Sequence, residues 1–205
     1  NRFSGTMINE AGANIILSGN NSYGMKYVAN SGDKNPLISN RGNIILGRNS
    51  AGVDKADTSV GIAVMEDSTI STNVFIGNNH VKNNGIIEIR DNVNESIGMY
   101  LNIKGGNNLI NDTDGKILLS GTGNNNSGMR ADIGIINPTN DNNPAGTAVV
   151  INRGIINIDT VGASENFAMI SNGAGTSAVN EKTITGTNNE KAVGMYSLKG
   201  GTVEQ

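Results

Sequence analysis

The chain contains a single histidine, and few of its residues have the type and spacing that catalysis requires. His80, in the segment GNNHVKNN, is the one imidazole that could act in acid–base chemistry or bind zinc. The motifs that accompany such a histidine are absent, since the sequence has no G-x-S-x-G, no H-E-x-x-H and no cysteine. We therefore interpret His80 as a solvated residue, and we expect no enzyme activity, no metal site and no cofactor.

Acidic residues could form a calcium site or a site that cleaves polysaccharides. Asp112 and Asp114 in NDTDG carry suitable oxygen atoms, but the full order of ligands in a calcium loop is missing, so a turn is the better interpretation. Enzymes that cleave acidic polysaccharides cluster acidic and basic residues on one face. The candidates here are dispersed along the chain, at Asp91, Asp132, Asp159, Arg90, Arg130 and Arg153. A shared face, and with it a polysaccharide lyase or hydrolase, stays open as an alternative.

The composition excludes several classes of protein. A net charge of -3, from 15 basic and 18 acidic residues without a basic block, argues against a nucleic-acid partner. No apolar run approaches the length that spans a bilayer, so we expect no membrane insertion of this segment. The chain has 35 Asn and 28 Gly, yet its 25 Ile, 13 Val, 8 Leu and 3 Phe are enough for a core of branched aliphatic side chains.

One unit recurs six times and is the main indication of the fold. Its first half has an aliphatic residue, Asn, Gly and alternating aliphatics, as in ISNRGNIIL from Ile38, VKNNGIIEI from Val81 and VINRGIINI from Val150. Its second half is a Gly-Met element such as Gly98-Met99-Tyr100. Five Met residues share that position, and we interpret them as a stacked core column rather than a metal site: Met25, Met99, Met129, Met169 and Met195.

Within each unit the aliphatic residues alternate with period two, which predicts strands rather than helices. Two and four residues after the repeat Gly lie pairs such as Ile44 and Leu46, or Ile87 and Ile89. Short strands separated by Gly and Asn in a unit of about 30 residues are typical of a β-solenoid. Two residues before the repeat Gly, the sequence predicts a ladder of stacked amides at Asn40, Asn83, Asn152 and Asn180.

Three insertions interrupt the repeat, near residues 47–60, 66–80 and 135–147. Because they break the repeat without serving the core, they are the segments we expect to contact a partner. The candidate loops run from Asp54 to Thr58, from Asn78 to His80 and from Pro138 to Pro144. The candidate binding residues in them are Asp54, Lys55, Asp57, Asn78, Asn79, His80, Pro138, Asp141 and Pro144.

The recurring I-x-N-x-G-x-I unit followed by G-M-Y resembles the passenger region of type V autotransporters, in particular large fusobacterial-type adhesins. The stretches that carry the resemblance best are VKNNGIIEIRDNVNESIGMYLNIKGG from Val81 and VINRGIINIDTVGASENFAMISNGAG from Val150, and the resemblance extends over residues 7–200. Departures are Ile62 and Ala168 in the Gly-Met element and Lys182 at the repeat Gly.

The resemblance implies a right-handed parallel β-helix of about six coils, with residues 1–205 forming one segment of a longer, monomeric passenger. It also implies a place on the bacterial cell surface and a role as an adhesin for proteins or glycans of host cells or other bacteria. A passive spacer is the structural alternative.

Overall fold

The computed structural model describes residues 5–29, 36–47, 56–66, 80–103, 107–132, 148–162, 165–187 and 191–205. Within these ranges every helical or extended element is a β-strand, and the strands are numbered β1 to β19 in chain order. They form where branched aliphatic residues alternate with polar ones, because that alternation gives a strand one apolar face.

The strands form three parallel sheets. The first sheet contains β1 (Thr6–Asn9), β4 (Leu37–Asn40), β7 (Val81–Asn83), β10 (Asn107–Asn111), β13 (Ala148–Asn152), β16 (Thr176–Asn180) and β19 (Thr202–Glu204). The second contains β2 (Asn14–Leu17), β5 (Asn43–Leu46), β8 (Ile86–Ile89), β11 (Lys116–Gly121), β14 (Ile155–Thr160) and β17 (Thr183–Gly186). The third contains β3 (Tyr23–Ala29), β6 (Val60–Glu66), β9 (Ile97–Asn102), β12 (Ser127–Asp132), β15 (Asn166–Asn172) and β18 (Ala192–Leu198).

Successive strands visit the three sheets in rotation, and each pairs with the strand three places later in the chain. One strand from each sheet therefore makes one coil, and the coils stack in sequence order. This confirms the predicted all-β fold, a parallel β-helix of six coils, with β19 beginning the next coil.

The core consists of columns of equivalent residues, one from each coil. Ile44, Ile87, Ile117 and Ile156 are aligned by the pairing of the second sheet, and each is 0% exposed. The predicted Met column is also confirmed in the third sheet, where Ile62 fills the place of Met in the second coil. Burying each such side chain stabilises the stack by about 1.5–3 kcal/mol.

Candidate functional site: the outer face of the third sheet

The corner between the first and second sheets carries the predicted amide ladder. The side-chain Nδ2 of each Asn donates to Oδ1 of the next at 2.7–2.8 Å, and the order is Asn9, Asn40, Asn83, Asn111, Asn152 and Asn180. Asn9 and Asn111 were missed from sequence because two extra residues separate each of them from the following strand. In the first coil the position aligned with Gly42 is therefore Ala13, although counting along the sequence suggests the neighbouring Gly12.

The same corner brings successive coils too close together for a side chain. A Cβ atom at Gly85 would overlap the carbonyl oxygen of Gly42 in the preceding coil. Lys182 takes the equivalent position in the sixth coil, and there the amide of Thr183 lies 3.4 Å from its carbonyl acceptor, against 2.9–3.0 Å in the other coils. The small residue at this corner therefore has a structural role, because it permits the close approach of successive coils.

The corner between the second and third sheets carries a column of similar turns in the second, third and fourth coils. In each of these three turns the middle residue has a positive φ of 55–56°, at Thr58, Glu95 and Asn125. The residue before it accepts a hydrogen bond from the next coil: Oδ1 of Asp57 accepts from the amide of Asn94 at 2.8 Å. The residue after it is a buried Ser or Asn, and Oγ of Ser96 accepts from the amide of Ser59 at 3.0 Å. Repeated three-residue turns thus hold this side of the stack in register.

The candidate loop residues fall partly within the described ranges. Asp57 and Thr58 belong to the turn column just described, so the described end of the first insertion is part of the regular stack. His80 directly precedes β7, and its carbonyl oxygen accepts a hydrogen bond from the amide of Ile38 at 2.9 Å. The remaining candidates lie outside the described residues: Asp54, Lys55, Asn78, Asn79, Pro138, Asp141 and Pro144.

Several of the charged candidates take part in contacts between neighbouring coils. Oδ1 of Asp91 accepts hydrogen bonds from the amide and the hydroxyl of Thr122, both at 2.8 Å, and these bonds lower the pKa of Asp91. Asp112 forms an ion pair with Lys82 at 3.1 Å. Nε of Arg153 lies 2.7 Å from a carboxylate oxygen of Glu181.

Among the six acidic and basic candidates for polysaccharide cleavage, Arg130 and Asp132 are in contact. Nε of Arg130 donates to both carboxylate oxygens of Asp132 at 3.0 Å. In the part of the chain that the structure describes, no cluster of three acidic or histidine residues could hold a metal ion, and no helix could span a membrane.

The third sheet places side chains of varied chemistry on its outer face. Its register aligns three outward columns, which begin at Tyr23, Lys26 and Val28 in the first coil. The Lys26 column continues through Ala63, Tyr100, Arg130, Ile170 and Tyr196. Nζ of Lys26 lies 4.2 Å from the ring centre of Tyr23, which is a cation–π distance.

Asp132 is the centre of a polar network on this face, although it is only 9% exposed. It accepts hydrogen bonds from the hydroxyl of Tyr100 at 2.8 Å and from Nδ2 of Asn172 at 3.0 Å, in addition to those from Arg130. Burial and the negative charge of Asp132 raise the pKa of the Tyr100 hydroxyl above its ordinary value. The network joins three coils and holds the guanidinium of Arg130 in one place.

A groove of about 420 Å³ lies beside this network. On one side it is bounded by the turn residues Thr58, Glu95 and Asn125. On the other side it is bounded by Arg130, Ile170 and Tyr196, which are aligned in one column. Between the two sides lie Ile97, Ser127 and Phe167, also in one column.

The groove carries an aromatic platform at one end. The rings of Phe167 and Tyr196 are stacked, with centroids 5.3 Å apart and an interplanar angle of 29°. Tyr196 is 40% exposed, so part of its ring faces solvent. The register of the third sheet brings Phe167 against Tyr196, and it places both on the groove that the turn residues also line.

Comparison of the chain with family models, with curated protein sequences and with solved structures gives no match.

Proposed function

We propose that this chain is a rigid segment of a bacterial cell-surface adhesin of the autotransporter type. In this proposal the β-helix is a stalk that holds recognition residues at fixed spacing, and its partner is a protein or glycan on a host cell or another bacterium. The repeat unit and its G-M-Y element, exemplified by Gly98-Met99-Tyr100, support the autotransporter part of the proposal.

The observation that carries the proposal is the tolerance of the stack to coils of unequal length. Residues joined by the amide ladder are 31, 43, 28, 41 and 28 positions apart, yet every rung is 2.7–2.8 Å long. Up to 15 additional residues, the difference between 43 and 28, are therefore accommodated without a change in register. A scaffold with this property can carry varied loops for recognition while its core stays the same.

The test compares the chain with variants whose insertions are replaced by the short connections of its own third coil. Met65 aligns with Asn102 and Val81 with Leu109, so residues 67–79 are replaced by Lys-Gly-Gly-Asn, the sequence of residues 104–107. By the same alignment residues 134–147 are replaced by Lys-Gly-Gly, and residues 48–55 by the Asp-Asn of residues 91–92. Asp57 and His80 are kept, because the stack uses them.

Attachment of the purified chain to epithelial and bacterial cells is measured by flow cytometry, with circular dichroism as the control for folding. We expect the intact chain to attach. Loss of attachment in a shortened variant that still folds would assign recognition to that loop. Attachment by none of the proteins, including the intact chain, would refute the adhesin proposal and leave the passive spacer as the better interpretation.

A further inference from the structure

We propose that the groove on the third sheet binds a neutral saccharide, with the ring of Tyr196 stacked against one sugar face. This inference deepens the proposed adhesin function, because it names the chemical class of the partner and the residues that recognise it. It rests on the groove's aromatic platform, on its polar sides and on the pairing of β12 and β15, the strands along its middle, with a neighbouring strand on each side.

The aromatic platform supplies an apolar contact of fixed orientation. Phe167 packs against Tyr196 at 5.3 Å, which restrains the Tyr196 ring while leaving it 40% exposed. A pyranose presents C–H groups on one face and hydroxyl groups around its edge. A restrained aromatic ring beside polar side chains is complementary to both, since aromatic residues bury a large area with few rotatable bonds.

The sides of the groove supply polar groups that complement hydroxyls. Glu95 and Asn125 project from turns whose backbones are held by bonds between coils, namely from the amide of Glu95 to Asn124 and from that of Asn125 to Glu165. Arg130 is positioned opposite them by its bonds to Asp132. Glu95 contributes one negative charge, and the positive charge of Arg130 is balanced by Asp132. The lining therefore favours an uncharged ligand over an anionic one.

The pairing of the sheet argues against a peptide as the occupant. Beside the groove, β12 is hydrogen-bonded to β9 and β15, and β15 to β12 and β18. The backbone groups of both strands are therefore already used, and a peptide cannot add to the sheet there as a further strand. Recognition must come from side chains. From Thr58 in the second coil to Tyr196 in the sixth the groove spans four coil steps, roughly 19 Å at 4.7–4.9 Å per step, which suits a short oligosaccharide.

The experiment measures binding of the 205-residue chain to lactose, maltotriose, chitotriose and 3′-sialyllactose by saturation-transfer NMR and calorimetry, after a glycan array has widened the panel. We expect at least one neutral saccharide to bind, and Tyr196→Ala to weaken it at least about tenfold. Tyr23→Ala is the matched control, because Tyr23 lies on the same face with 38% exposure but outside the groove. The Tyr23→Ala variant should bind the saccharide with the same affinity as the intact chain.

Binding of no saccharide, binding of anionic saccharides alone, or equal losses in the two variants would overturn the inference. Attachment to cells is measured in parallel, before and after periodate oxidation of the cell-surface glycans. Attachment that survives both periodate treatment and Tyr196→Ala would refute saccharide binding by the groove and leave the adhesin proposal standing. Saccharide binding without any attachment to cells would support the groove and refute the adhesin proposal.

Discussion

Replacing Asn111 by Ala should destabilise the β-helix far more than the same change at an exposed amide. Asn111 is 0% exposed and occupies the middle of the ladder. It accepts from Nδ2 of Asn83 at 2.8 Å and donates to Oδ1 of Asn152 at 2.7 Å. It also donates to the carbonyl oxygens of Gly115 and Ile155, both at 3.3 Å. Alanine removes all four contacts.

The size of the effect follows from what the two neighbouring amides keep. Nδ2 of Asn83 still has carbonyl oxygens at 3.2 and 3.4 Å, and Oδ1 of Asn152 still accepts from the amide of Gly154 at 3.3 Å. Neither is left wholly unpaired, so the cost is that of the lost bonds and not a full desolvation penalty. Two short bonds at about 0.5–1.5 kcal/mol each, with the weaker pair and a small cavity, give about 2–4 kcal/mol.

Asn43→Ala is the control, because Nδ2 of Asn43 donates to Oδ1 of Asn14 at 2.8 Å in a similar amide pair that is exposed to solvent. Water replaces that bond, so we expect a cost below about 0.5 kcal/mol. Urea unfolding followed by circular dichroism gives the midpoints and slopes for both variants. If Asn111→Ala costs no more than Asn43→Ala, the ladder does not stabilise the stack as argued.

An aspartate at position 111 tests the direction of the ladder bonds. Asn111→Asp keeps the acceptor but removes the donor that faces Oδ1 of Asn152, and its burial raises the pKa of the new carboxyl group in the folded state. Such a group destabilises the fold as its charged form and much less when protonated. The free energy of unfolding of the variant should therefore fall furthest below that of the intact chain at neutral pH. This difference should shrink as the pH falls toward about 3.9, the pKa of an aspartate in the unfolded state. A difference that does not change with pH would contradict this account.

Three further predictions concern the packing of the coils. Gly85→Ala should prevent close stacking at the first corner, because its Cβ would overlap a carbonyl of the preceding coil, and a loss of several degrees in melting temperature would confirm it. Met129→Ala should cost about 2–5 kcal/mol in urea unfolding, since Met129 is 0% exposed, whereas Met65→Ala on the outer face should cost less than half of that. Tyr100→Phe removes the hydroxyl bonded to Asp132 and should cost about 1 kcal/mol. Because the folded pKa of Tyr100 is raised, the intact chain should lose stability as the pH rises above about 10, and Tyr100→Phe should reduce that loss.

The fold could be predicted from sequence because its columns repeat in chain order. Ile44 and Ile87 each follow a repeat Gly by two residues, and that spacing gave their pairing directly. The prediction lost accuracy where a corner changed length. Asn111 lies four residues before Gly115, whereas Asn83 lies two before Gly85, so counting back from glycine missed a rung that the hydrogen bonds place in the same ladder.

The candidate site was less predictable, because its residues are neighbours across coils and not along the chain. Thr58 and Asn125 are separated by 67 positions, the difference of their numbers, yet both line one groove. Nothing in their local sequence indicates this, since the unequal connections between coils hide the register. The sequence therefore favoured the insertions, which are visible as breaks in the repeat, over the outer face of the third sheet.

The polar network on that face bears on the choice between an adhesin and a passive spacer. Asp132 is a carboxylate at 9% exposure on an outward column, and burying it has a desolvation cost that its three partners offset. Replacing a buried charged network by apolar residues of similar volume is often neutral or stabilising. A face that served only to separate two parts of a stalk would therefore be at least as stable with an aliphatic residue there. In the adhesin proposal the network has a further role, which is to hold the guanidinium of Arg130 beside the aromatic groove.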